Sequence, residues 1–201
     1  MPDLSLETSL GGVGAGIDEV GRGPLAGPVI AAAVIIDPAT LPARLAEELN
    51  DSKKLSAKKR DVLAELVLAH CTYGFGEASV AEIDRLNILK ATFLAMERAV
   101  EALGCAIDHA LVDGNQVPPL ACRVRCVVGG DGLSLSIAAA SVIAKVRRDR
   151  LMAELAAQFP GYGWDSNAGY GTAAHLDGLR RLGPTPHHRV SFAPIAQLSL
   201  L

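Results

Sequence analysis

Residues 29–36, VIAAAVII, are apolar at every position. Side chains of a strand alternate between its two faces, so a run that is apolar at both parities belongs inside a sheet covered on both sides. That rules out a sheet with one wet face and asks for helices above and below. Asp37-Pro38 ends the run. Just upstream, residues 15–20, AGIDEV, read as a first strand, joined to the second as a hairpin by the glycine-rich turn GRGPLAG at 21–27.

The rest of the chain supplies those helices. Ser56 is placed to cap a helix over 57–70. Residues 71–79 suit a third strand. Between Asn87 and Leu103, the residues Leu89, Phe93, Met96, Val100 and Leu103 recur in steps of four and three, the pattern of a helix facing a core. HALVD at 109–113 and RVRCVV at 123–128 read as two further strands, the second leading through Gly129-Gly130 to Asp131. A long helix is expected from about Ser136 to Gln158. An aromatic, glycine-rich loop (159–172), a short helix and a proline-broken tail follow. The class is α/β with a mixed β-sheet. Length fits one domain over 1–201, with a helical, loop-rich C-terminal appendage from about Val146.

Half the residues are hydrophobic and 20% are charged, a globular balance. A net charge of −3 excludes a general polycation, so an anionic ligand would need local basic patches or bound metal. No apolar run is long enough to span a bilayer, and MPDLSLETSL lacks the positive start of a signal peptide, so a cytoplasmic protein is expected. Cys71, Cys105, Cys122 and Cys126 offer no second ligand pair at zinc-finger spacing and are expected to be buried free thiols.

Asp18 and Glu19 are adjacent acids near the end of a buried strand, costly to desolvate without a cation or hydrogen bonds. Asp113 and Asp131 also stand where strands end. Ligand sites of open α/β sheets lie beyond strand ends, so the four carboxylates are expected to converge. Hard cations with oxygen ligands, Mg²⁺ or Mn²⁺, suit such a site, and two of them would clamp the oxygens of a phosphodiester. Adjacent strand residues point to opposite faces, so Asp18 and Glu19 share one site only if the strand ends or distorts there. Ser141, Lys145 and Arg148 fall on one stripe of the long helix, directed toward Asp131, with the helix N-terminus adding positive potential. Lys145, Lys53 and Lys54 are candidates for backbone phosphates, while Arg147 and Arg150 read as a solvated face.

Seven blocks in order carry a resemblance: GIDEVGRGPLAGPV, LNDSKKLS, IDRLNILKATFLAM, LVDGN, IAAASVIAKVRRD, GYGT and HHRVSF. Together they resemble bacterial-type ribonuclease HII over nearly the whole chain. The resemblance implies a ribonuclease H-like fold and a metal site held by Asp18, Glu19, Asp113 and Asp131. It implies hydrolysis of the RNA strand in RNA–DNA hybrids and repair incision 5′ of single ribonucleotides in duplex DNA, leaving 3′-hydroxyl and 5′-phosphate ends. It further implies that the backbone of Gly21, Arg22 and Gly23 reaches the ribose 2′-hydroxyl and that Tyr170 packs on the sugar. The other reading of Tyr170 is a loop side chain capping the core. Ribonuclease HIII, a relative, has an added N-terminal domain, and the short segment before Asp18 disfavours that subtype. The family commonly has lysine where this chain has Gly129, which removes a positive charge beside the site.

Gly21 to Ala26 formally match a dinucleotide fingerprint, but Pro24 and Pro28 and a following strand exclude the helix that motif must open. A non-catalytic hybrid-binding module is the competing class, and it would not need four acids. Residues 197–201 resemble a motif that docks on the sliding clamp, with Leu201 in place of the usual Phe. In an extended tail, Gln197 would hydrogen-bond while Leu198, Leu200 and Leu201 fill an apolar pocket; alternatively the leucines fold back on the domain. Pro194 is expected to end regular structure and project that tail. The protein is expected to be a monomer.

Overall fold

The computed structural model describes residues 1–198 of the chain. A short helix, α1 (Ser5–Leu10), precedes the hairpin of β1 (Gly14–Val20) and β2 (Val29–Ile35). Next come α2 (Ala43–Glu48), α3 (Ala57–His70), β3 (Thr72–Ala78), α4 (Val80–Leu86) and α5 (Ile88–Glu101). Strands β4 (His109–Asp113) and β5 (Arg123–Val127) lead into α6 (Leu135–Gln158). Helices α7 (Trp164–Asn167), α8 (Ala173–Leu182) and α9 (Ala193–Leu198) follow.

The sheet runs β3-β2-β1-β4-β5. β2 is antiparallel to both its neighbours, whereas β1, β4 and β5 are parallel. The expected α/β class with a mixed sheet is therefore the observed one. Ala31 and Ala33 of β2 pack with Ala95, Met96 and Ala99 of α5 on one face. Ala32 and Val34 pack with Leu63 and Val67 of α3 and with α6 on the other. Small residues bring the layers close. A Cβ at Gly16 would land on the backbone of Ser136 and Ile137, so only glycine lets α6 lie this near β1.

Several local signals act as read. Ser56 caps α3 by accepting from the Lys59 amide. Three short helices, α1, α2 and α4, are too brief to show a helical period. For α4 a signal was present nonetheless: Ser79 and Glu82 form a reciprocal capping box. Helix α6 runs unbroken through Val146, so the C-terminal part starts inside a helix and not at a break. Its far half packs with α7, α8 and α9 around Tyr162, Trp164 and Leu179, against Leu25 and Ala26 of the hairpin turn. The thiols differ from expectation: Cys105 is exposed and the other three are half-buried. Pro194 also differs, since it sits in the first turn of α9, where its missing N–H costs nothing. Among the described residues no helix is long and apolar enough to cross a membrane.

Candidate active site

The parallel pairing of β1 with β4 sets Ile17 beside Val112, both in the core under α5. The next residue on each strand is an acid. By alternation Asp18 and Asp113 turn to the other face, where α6 begins. Beyond β5 the chain turns through Gly129, at φ 67°, into a single 3-10 turn, Gly130–Gly132, that carries Asp131. The Gly130 amide donates to Asp113 Oδ1 at 2.7 Å, which ties this turn to the end of β4. Carboxylate oxygens of Asp18, Asp113 and Asp131 thus lie within 4.8 Å of one another.

The electrostatics of the trio follow from burial. Asp18 is almost fully buried, and that burial pushes its pKa well above the usual carboxylate range. The charges of Glu19 and Asp113 push the same way, against a hydrogen bond from Ser141. Asp131 is also raised, by burial first and then by the charges of Asp113 and Asp51, with Lys53 opposing. Asp51 is a neighbour the sequence reading passed over, though it stands two residues before Lys53 and accepts from the Lys53 amide at 2.9 Å. Carboxylates packed together with oxygen donors alone, and no His or Cys in the group, fit a hard divalent cation.

Glu19 stands apart. The strand does not distort after Asp18: Glu19 still pairs with Ala31, and Val20 with Ile30. Glu19 therefore points to the α5 face, into a small pocket with Arg22, Thr92, Met96 and Asn115 that Asp113 also borders. Its Oε1 lies 3.4 Å from Arg22 Nη1. Burial raises its pKa, while Arg22 lowers it and Asp113 raises it further. Of the four acids expected to converge, three share one cluster and the fourth sits around the end of the sheet.

The turn after β1 is held from below by two fully buried arginines. Arg189 donates to the carbonyls of Gly21, Arg22 and Gly27, with Nε to Gly27 at 3.0 Å. Arg148 donates to those of Ala26, Pro28 and Ala168 at 2.9–3.0 Å. The stripe on α6 therefore divides. Ser141 reaches Asp18 and Ser52, Lys145 pairs with Asp149 at 2.6 Å, and Arg148 is a buried tie to the turn and not a face toward Asp131. The positive end of α6 is likewise taken, because Glu7 accepts from the Ser136 amide at 3.0 Å. Lys54 lies 3.9 Å from Asp51. Arg147 lies over Phe75 and Arg150 pairs with Asp61, both on the solvated face as read.

Tyr170 is 49% exposed, and its ring lies against Gly23 of the turn. Its loop is clamped to the turn. Gly169 has φ 85°, and a Cβ there would stand 2.6 Å from the Ala26 carbonyl oxygen. The Leu25 amide donates to the Gly169 carbonyl at 2.8 Å. Behind the loop, His175 Nδ1 lies 2.9 Å from the Tyr170 carbonyl, and its Nε2 lies 3.0 Å from both Trp164 Nε1 and His188 Nε2. Gln197 is exposed on α9, so the tail is helical where an extended segment was expected to begin. Residues 199–201, with Leu200 and Leu201, lie outside the described residues.

Residues 15–195 match the family model for ribonuclease HII. A ribonuclease HII of Paramagnetospirillum magneticum is 70% identical over 200 residues, covering all of both chains. Among solved structures, the PCNA:RNase HII complex from Archaeoglobus fulgidus aligns at a TM-score of 0.75 and 26% identity, covering 90% of this chain and 95% of that one. Bst-RNase HIII in complex with Mn²⁺ shares the fold at a TM-score of 0.76 and 20% identity, over 100% of this chain and 74% of that one.

Proposed function

Because the chain belongs to the ribonuclease HII family, it is a type 2 ribonuclease H, an endonuclease acting on RNA–DNA hybrids, and we propose that Asp18, Glu19, Asp113 and Asp131 carry its reaction. The observation that supports this reading is the convergence of the carboxylates of Asp18, Asp113 and Asp131 within 4.8 Å of one another. Asp18, Asp113 and Asp131 would hold divalent ions, Mg²⁺ or Mn²⁺, with Glu19 joining from the neighbouring pocket by release from Arg22. Bound there as a pair, such ions supply positive charge to the attacking and leaving oxygens of a phosphodiester. Ser141 orients Asp18, and Asp113 orients the turn bearing Asp131.

Substrate reading falls to the hairpin turn. In this proposal the backbone of Gly21, Arg22 and Gly23 takes the ribose 2′-hydroxyl, and the Tyr170 ring takes the face of the sugar. Arg148 and Arg189 keep that backbone rigid without spending side-chain carboxylates on it. Lys53 and Lys54 meet phosphates, and Lys145 would do so by leaving Asp149. Incision falls 5′ of single ribonucleotides as well as within hybrids, leaving 3′-hydroxyl and 5′-phosphate ends. A non-catalytic hybrid-binding module is set aside, since binding alone gives no reason to bury mutually repelling acids.

The protein works as a cytoplasmic monomer in this reading, and residues 197–201 dock on a sliding clamp. The archaeal relative solved in complex with PCNA supports a clamp partner. The test of the main reading is cleavage of a DNA duplex holding one ribonucleotide, with and without Mn²⁺. Metal-dependent incision 5′ of the ribonucleotide is expected, and binding without cleavage would reverse the choice between enzyme and module.

A further inference from the structure

We infer that Glu7 is a positioning residue for Asp131: from α1 its carboxylate fixes the junction between the 3-10 turn bearing that acid and the start of α6. The inference rests on the reading of Asp131 as a metal-holding acid. One oxygen of Glu7, Oε1, accepts from the Ser134 hydroxyl at 2.6 Å, the Ser136 hydroxyl at 2.6 Å and the Ser136 amide at 3.0 Å. Ser134 is itself the cap of α6, accepting from the Ile137 amide at 3.2 Å.

The same N-terminal segment adds a backbone bridge. The Asp3 amide donates to the Leu133 carbonyl at 3.2 Å, and the Leu135 amide donates to the Asp3 carbonyl at 2.9 Å. The first three amides of α6, from Leu135, Ser136 and Ile137, are thus all satisfied by Asp3, Glu7 and Ser134. Upstream, the Ser134 amide donates to the Gly130 carbonyl at 2.8 Å, which closes the turn around Asp131. Asp131 is therefore held between two anchors. Asp113 grips Gly130 on one side, and Glu7 grips Ser134 and Ser136 on the other.

Glu7 acts here as an acceptor through a single oxygen. Its Oε2 is buried with no hydrogen-bond partner among the described residues. Glutamine keeps the working oxygen and replaces only the unpartnered one, whereas alanine removes the shared acceptor of three donors and leaves the two hydroxyls, 3.1 Å apart, only each other.

The test is Mn²⁺ binding to the full chain by calorimetry, without nucleic acid, together with amide hydrogen exchange over residues 133–137. Glu7→Ala should weaken Mn²⁺ binding about fivefold or more and speed exchange roughly tenfold, while Glu7→Gln stays within about twofold of wild type. Ser136→Ala removes one donor at little change of volume, and about a twofold weakening is expected from this milder variant. Wild-type binding by both alanine variants, beside weakened binding by Asp131→Asn, would overturn the role of Glu7 alone. Unchanged binding by Asp131→Asn would instead overturn the reading of Asp131. Equal loss in Glu7→Gln and Glu7→Ala would refute the single-oxygen account.

Discussion

The ring of Tyr170 rests on Gly23: a Cβ at that glycine would stand 3.3 Å from the tyrosine Cε1. Because the ring is half exposed, little stability depends on it. Tyr170→Ala should leave the melting temperature within a few degrees of wild type and weaken duplex binding modestly. In the proposed function the ring positions the sugar rather than supplying affinity, so single-turnover cleavage at a DNA–RNA junction should fall at least ~10²-fold. Equal losses in binding and rate would argue for a passive surface tyrosine.

Asp113 faces Asp18 while its Oδ1 accepts from Gly130. Asparagine can keep that hydrogen bond but not the charge. Asp113→Asn should therefore fold normally and lose at least ~10³ in rate with Mg²⁺, several kcal/mol of transition-state stabilisation. Rates measured under single turnover at saturating Mg²⁺ check this, and near-wild-type activity would remove Asp113 from the reaction.

Asp18 sets function against stability. Its folded pKa is raised, so the folded state holds a proton that the unfolded chain releases near the ordinary value of 3.8. Stability from this group is present at low pH and is lost as pH rises through the folded pKa. In metal-free protein at pH 7 this group therefore costs stability, and Asp18→Asn should raise the melting temperature. Thermal melts in EDTA test this. Adding Mn²⁺ should raise the wild-type melting temperature and leave the Asn variant nearly unmoved.

His188 gives the opposite slope. Burial, with help from neighbouring His175, pushes its pKa down to about 4 from 6.5. The unfolded chain then binds a proton that the fold does not, so stability is lost as pH falls from about 6.5 toward about 4. A loss of ~2–3 kcal/mol between pH 7 and pH 4.5 is expected from urea titrations. His188→Gln should flatten that slope; an unaltered slope would place the acid sensitivity elsewhere.

The hairpin, the doubly covered strand and the acids at strand ends were legible because each depends on local alternation. Asp113 and Asp131 needed only the place where a strand stops. Glu19 was harder: its neighbour Asp18 suggested one shared site, but an undistorted strand sends adjacent side chains apart. Helical spacing put Arg148 on a stripe with Ser141, yet periodicity fixes a face and not a partner. Apart from Ala168, the partners of Arg148 and Arg189 are carbonyls more than a hundred residues upstream, and backbone acceptors leave no mark in composition. Glu7 and Asp51 were missed for a similar reason, since their roles depend on which loop lies opposite.

Helix α6 carries Ser141, which touches Asp18, and Arg148, which holds the turn two helical turns further on. The seven residue steps from one to the other span ~10 Å of a rod that does not stretch. Inserting a single residue in that interval would rotate everything beyond it by ~100° and swing Arg148 away from its carbonyls. Substitutions on the outer face of this interval, at Arg147 for example, should be freely accepted, whereas any change in its length should not. On that outer face the chain is therefore tolerant of spelling errors, but nowhere in the interval of miscounted letters.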